Sequence, residues 1–114
     1  MRADGNDVLA AYDVPREAVD RSRLILKSKT LRFPEVRARF EQGFAQNGIA
    51  ADRIVFRTES SYADWLAEYR DVDIALDTFP YNGGATSCDA LWMGVPVVAL
   101  LGDSLISRQS AAVL

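Results

Sequence analysis

Four short apolar runs punctuate this chain, and the stretches between them carry apolar residues at helical spacing. The first run is Leu24-Ile25-Leu26, flanked by Arg23 and Lys27; the others are Ile54-Val55-Phe56, Ile74-Ala75-Leu76 in an expected strand from Asp73 to Leu76, and Val97 to Leu101. Runs this short suit buried strands better than helices. Between the first two, Val36, Phe40 and Phe44 recur every four residues, which predicts one apolar face on a helix from Pro34 to Asn47. Pro34 suits the first turn and Gly48 the C-terminal cap. Ser61 stands three residues before Asp64 as in a capping box, and Tyr62, Trp65, Leu66 and Tyr69 follow at helical spacing. A short helix is expected from Ala85 to Met93, stopped by Gly94 and Pro96. Strands and helices alternating in this way predict an α/β fold with a parallel sheet and right-handed crossovers. The unbroken apolar character of Val97 to Leu101 predicts a strand covered on both faces. At the ends the pattern weakens. Val8 to Tyr12 suggests a helical turn broken by Asp13-Val14-Pro15, and the apolar end Ala111 to Leu114 reads as a helix cut short.

Composition narrows the function. With 114 residues the chain suits one domain, and 49% hydrophobic with 25% charged residues is a globular balance. Thirteen Lys+Arg against 16 Asp+Glu give a net charge of −3, which argues against a nucleic-acid partner. No apolar run approaches the roughly 20 residues that span a bilayer, and the opening MRADGND lacks the apolar stretch of a signal peptide, so a cytoplasmic chain without a membrane partner is expected. Cys88, the single cysteine, has no partner for an internal disulfide. There is no histidine, which excludes a Ser-His-Asp triad, a Cys-His pair and histidine metal sites within these residues.

In a parallel α/β sheet, ligands sit beyond the carboxyl ends of the strands. The loop from Asp77 to Ser87 lies there. Gly83-Gly84 would let a phosphate approach the backbone, and the amides opening the next helix would attract the anion, with the Thr86 and Ser87 hydroxyls as further donors. Asp89, one turn in, is placed to accept from a ribose diol. Spacing alone leaves a plain tight turn open, with Asp89 merely complementing the helix dipole. The loop is neither a GxGxxG fingerprint nor a Walker loop.

The run from Asp73 to Val98, DIALDTFPYNGGATSCDALWMGVPVV, resembles the donor-binding stretch of the protein O-GlcNAc transferase family, including its bacterial SPINDLY-like members. Ser22 to Lys29, Arg53 to Phe56 and Gly102 to Arg108 resemble it too. The resemblance implies a GT-B architecture, with a Rossmann-like parallel sheet and flanking helices. On that basis residues 22–114 are expected to be part of the C-terminal, donor-binding lobe, truncated at both ends, and 1–21 a poorly defined N-terminal segment. The resemblance also implies UDP-GlcNAc as donor substrate, Ser/Thr hydroxyls of proteins as acceptors, and no cofactor or metal. Gly84, Ala85 and Thr86 would hold the diphosphate, Asp89 the ribose, and Trp65 would stack on the base where relatives usually carry histidine. Ala85 stands where threonine is usual, which removes one hydroxyl donor. No catalytic residue is expected in this chain: the catalytic histidine belongs to an N-terminal lobe, preceded by tetratricopeptide repeats, so these residues alone are expected to be inactive.

Competing readings stand beside these. A GDP-fucose type of transferase uses the same scaffold, and an interaction module without a ligand would tolerate Ala85. Trp65 also suits simple packing with Tyr62 and Tyr69. Lys27 and Lys29 read as a solvated strand end, and Cys88 as a small buried side chain. Asp71-Val72-Asp73 looks like a metal-binding DxD motif, but Asp73 opens a strand at the end away from the ligand edge.

Overall fold

A computed structural model of the chain describes residues 22–114. The helical turn expected at Val8 to Tyr12 lies outside the described residues. The chain divides into two compact units, Met1–Glu59 and Ser60–Leu114.

In the first unit, β1 (Leu24–Lys27) and β2 (Ile54–Arg57) pair in parallel, with Leu24 opposite Ile54 and Lys27 opposite Arg57. Helix α1 (Pro34–Gln46) connects them, with Pro34 in its first turn. It ends as the sequence predicts. Gly48 takes φ 74°, the Ile49 amide returns to the Phe44 carbonyl at 3.0 Å and the Gly48 amide to Ala45 at 3.0 Å, so the last carbonyls are satisfied in a Schellman motif. The predicted face turns inward: Phe44 is buried, Val36 and Phe40 are half-buried, and the Phe40 ring meets Phe56 at 6.4 Å. Leu31, on a 3-10 turn capped by Ser28, and Ile54 complete this core. Lys27 departs from the expected solvated strand end. It is half-buried, and its ammonium donates to the Thr58 carbonyl at 2.6 Å, binding the end of β1 to the chain beyond β2.

The second unit runs α2 (Tyr62–Glu68), a 3-10 turn (Tyr69–Asp71), β3 (Ala75–Leu76), α3 (Ala85–Trp92) and β4 (Val97–Val98). Here β3 and β4 are parallel, with Ala75 opposite Val97 and Leu76 opposite Val98. The expected parallel pairing thus holds within each unit, as two two-stranded sheets. Helix α3 closes like α1: Gly94 takes φ 79° and the Val95 amide returns to Ala90 at 2.9 Å.

This unit's buried set is Ala90 and Val95 with Asn82, Ser87, Ser107 and Ser110, mostly small polar side chains that bond to one another and to backbone. Along the last apolar run, Val97 is half-buried but Val98 is 57% and Leu100 62% exposed. The expectation that this strand is covered on both faces is therefore corrected. The ladder is two residues long, and Val98 on it is exposed. The last segment forms 3-10 turns at Ile106–Arg108 and Ser110–Ala112 instead of the expected α-helix.

Candidate functional site

The expected ligand loop leaves the carboxyl end of β3 and is held on both sides of Gly83. Asp77 Oδ1 accepts from the Gly83 amide at 2.7 Å, and the Ser110 hydroxyl donates to the Gly83 carbonyl at 2.7 Å. Asn82, 1% exposed, donates its side-chain amide to the Thr78 carbonyl at 2.9 Å, while its backbone amide bonds Ile106 at 3.2 Å. The Thr78 hydroxyl closes the loop onto the Tyr81 carbonyl. Gly83 is required by space: a Cβ there would lie 2.5 Å from Thr86 Oγ1 and 2.9 Å from Ser87 Oγ.

Gly84 is the residue before α3, and no side chain caps the helix. The first amide to return is Cys88, to the Gly84 carbonyl at 3.2 Å. The amides of Ala85, Thr86 and Ser87 precede it and have no intrahelical acceptor, as at every α-helix start. Ala85 and Thr86 are exposed and Gly84 half-buried, so the first turn is open. Gln109 lies alongside, its Nε2 3.1 Å from where a Gly84 Cβ would stand.

Two expectations are corrected here. Ser87 adds no hydroxyl to the open turn: it is 5% exposed and bonds Ser110 at 3.1 Å. Cys88, read as buried, is exposed. Consecutive helical residues point about 100° apart, so when Ser87 turns inward its neighbour turns out.

Helix α2 supplies the other side of the site. Ser61 caps it, accepting from the Asp64 amide at 3.2 Å and donating to Asp64 Oδ2 at 2.7 Å. Aspartate is one methylene shorter than the usual glutamate and meets the hydroxyl instead of the backbone. Tyr62, Trp65 and Tyr69 then share one face, and each spends its polar tip on α3. Tyr62 donates to Asp89 Oδ1 at 2.9 Å, Trp65 Nε1 to Asp89 Oδ2 at 3.2 Å, and Tyr69 to the Thr86 carbonyl at 3.1 Å. Trp65 and Tyr69 meet edge-on, with centroids 5.8 Å apart. The hydrogen bond to Asp89, then burial and the carboxylate charge, raise the Tyr62 phenol above its ordinary pKa. Burial, then the Asp89 charge, raises Tyr69.

The structure thus gathers Gly84, Ala85 and Thr86 at one helix start, with Asp89 one turn along and Trp65 bonded to it. Sequence reasoning missed the hydroxyls of Tyr62 and Tyr69, which it counted only as apolar helix positions. The signal was the choice of Tyr, Trp and Tyr, each with a polar tip, where Leu would suit plain packing. Asp71 lies in the 3-10 turn and Asp73 ahead of β3, away from this edge. Among the described residues no group of three or more Cys, Asp or Glu is placed to hold a metal ion, and no helix is long and apolar enough to cross a membrane.

The family model of glycosyl transferase family 41 matches residues 17–114. The chain belongs to that family. A SPINDLY protein of Arabidopsis thaliana, named a probable UDP-N-acetylglucosamine–peptide N-acetylglucosaminyltransferase, is 38% identical over 87 residues, 75% of this chain and 10% of the relative. A UDP-N-acetylglucosamine–peptide N-acetylglucosaminyltransferase of Giardia intestinalis is 36% identical over 64 residues, 55% of this chain and 4% of its own. The solved structure of a mutant O-GlcNAc transferase from Thermobaculum terrenum superposes with a TM-score of 0.81 at 36% identity, covering 96% of this chain and 20% of that one. This family 41 chain therefore has the α/β fold of part of a GT-B transferase, and spans a tenth or less of the curated relatives it matches.

Proposed function

We propose that this chain supplies the sugar-nucleotide site of a protein O-GlcNAc transferase, which moves N-acetylglucosamine from UDP to Ser or Thr hydroxyls of proteins. The observation that carries the reading is an uncapped, exposed helix start with an aspartate one turn along, held by an aromatic residue of the neighbouring helix. The free amides and the positive end of the α3 dipole suit a diphosphate, and Thr86 adds a hydroxyl donor. Asp89 accepts from the ribose diol, and the Trp65 ring offers a stacking surface for the base.

In the transfer, the acceptor oxygen bonds to the anomeric carbon as the bond from that carbon to the β-phosphate oxygen breaks. Negative charge grows on the departing diphosphate. Amides fixed before the reaction stabilise it without reorganisation, which is the role assigned to Gly84, Ala85 and Thr86, and no metal is required. The acceptor's proton passes to a base outside this chain.

The test is calorimetry of the chain with UDP and with GDP. Saturable binding of UDP, weakened in Thr86→Ala, supports the reading. Binding of GDP alone would assign a different donor to the same scaffold, and binding of neither would overturn the nucleotide site.

A further inference from the structure

We infer that Tyr62 and Trp65 are positioning residues that orient Asp89 for two-point recognition of a ribose 2′,3′-diol, so that the site selects ribonucleotides over 2′-deoxyribonucleotides. The inference rests on the proposed nucleotide site and adds what sets its sugar selectivity.

The geometry distributes one donor to each carboxylate oxygen: Tyr62 to Oδ1 at 2.9 Å and Trp65 to Oδ2 at 3.2 Å. A carboxylate offers about four lone-pair sites, two on each oxygen. One therefore remains on each, and a vicinal diol has two hydroxyls to donate, one per oxygen. Two anchors also stop the carboxylate from turning about its last bond. A single anchor would leave it free to pivot and present one oxygen at a time.

Tyr62 fits a positioning role better than a packing role. It is 66% exposed, so little burial offsets the cost of ordering its side chain, and its hydroxyl is committed to Asp89. The cap at Ser61 fixes the first turn of α2, from which Tyr62 projects. Trp65 carries a donor-only N–H that cannot compete as an acceptor. A tyrosine phenol ionises only at about pH 10, so this donor persists throughout the neutral range. Tyr69 provides the contrast: at the end of α2 it donates its hydroxyl to the Thr86 carbonyl of α3 rather than to Asp89.

The experiment is a titration of the full chain with UDP and with 2′-deoxy-UDP, followed by nitrogen-15 NMR. The Trp65 indole signal reports on the site, and Trp92, 85% exposed on α3, serves as reference. Wild type is expected to prefer UDP by about ten-fold, the equivalent of one hydrogen bond to a charged group. Tyr62→Phe should narrow that preference to about two-fold by weakening UDP, while Tyr69→Phe should weaken both nucleotides alike. An unchanged preference in Tyr62→Phe would overturn the inference and leave the nucleotide site standing. So would tighter UDP binding, which would make Tyr62 a competitor for Asp89, or a wild type that binds both nucleotides equally. If wild type binds neither, the nucleotide site falls and the inference with it.

Discussion

Trp65 donates its indole N–H to Asp89 Oδ2 at 3.2 Å, a bond between residues 24 positions apart that joins α2 to α3. It sets the residue proposed for base stacking directly against the residue proposed for the ribose, as neighbouring parts of one nucleoside require. With Tyr62 on the other oxygen, Asp89 is the point where the two helices and the proposed ligand meet.

Replacing that carboxylate should therefore be costly for binding. Asp89→Ala is expected to weaken UDP by about 1–3 kcal/mol, the range for losing a hydrogen bond to a charged group. Calorimetry checks this, with circular dichroism to show that the variant is folded. Unchanged affinity in a folded variant would remove Asp89 from the site.

Tyrosine titration offers a check that needs no ligand. Tyr62 and Tyr69 are both raised above 10.0, chiefly by the Asp89 hydrogen bond and by burial respectively. A raised folded-state value means their contribution to stability is whole below the unfolded pKa and is lost as pH climbs through the folded one. Phenolate absorbance should show late-ionising tyrosines in wild type. In Asp89→Ala, Tyr62 should return towards about 10, while Tyr69 should move less because burial dominates its shift. Identical curves would contradict the contact.

Gly83→Ala should destabilise the loop. The new methyl would fall 2.5 Å from Thr86 Oγ1 and 2.9 Å from Ser87 Oγ, and Ser87 is fixed in the interior by Ser110. Overpacking of this kind costs about 1–3 kcal/mol, readable as a lower urea midpoint. A variant of wild-type stability would show that the loop relaxes freely.

Ala85→Thr tests the weakened side of the site. Position 85 is exposed in the first turn of α3, so a hydroxyl there meets no steric barrier from burial. UDP should bind more tightly by about 1 kcal/mol, the net value of a typical added hydrogen bond. Calorimetry decides, and no gain would mean that the phosphates do not reach this residue.

The sequence was most legible where structure is decided locally. Pro34 and Gly48 bound α1 because fixed φ suits a first turn and positive φ suits a cap, and neither needs a tertiary partner. The alternation of strands and helices carried the fold class for the same reason. What escaped it depended on partners far along the chain. Lys27 looks like a solvated cation until Thr58 is beside it, and Ser87 like a ligand donor until Ser110 claims it. Spacing proposed Asp89 for the ribose, but only the family resemblance proposed Trp65 for the base, and neither showed that the two touch. The roles of Tyr62 and Tyr69 emerged only when α2 and α3 were seen together.

The central claim is that a diphosphate rests on the amides that open α3. The direct measurement is a nitrogen-15 NMR titration comparing UDP with uridine, read at the backbone amides of Ala85 and Thr86. Saturable shifts at both with UDP, and none with phosphate-free uridine, are the predicted result. Shifts absent from this turn while UDP perturbs signals elsewhere would contradict the claim.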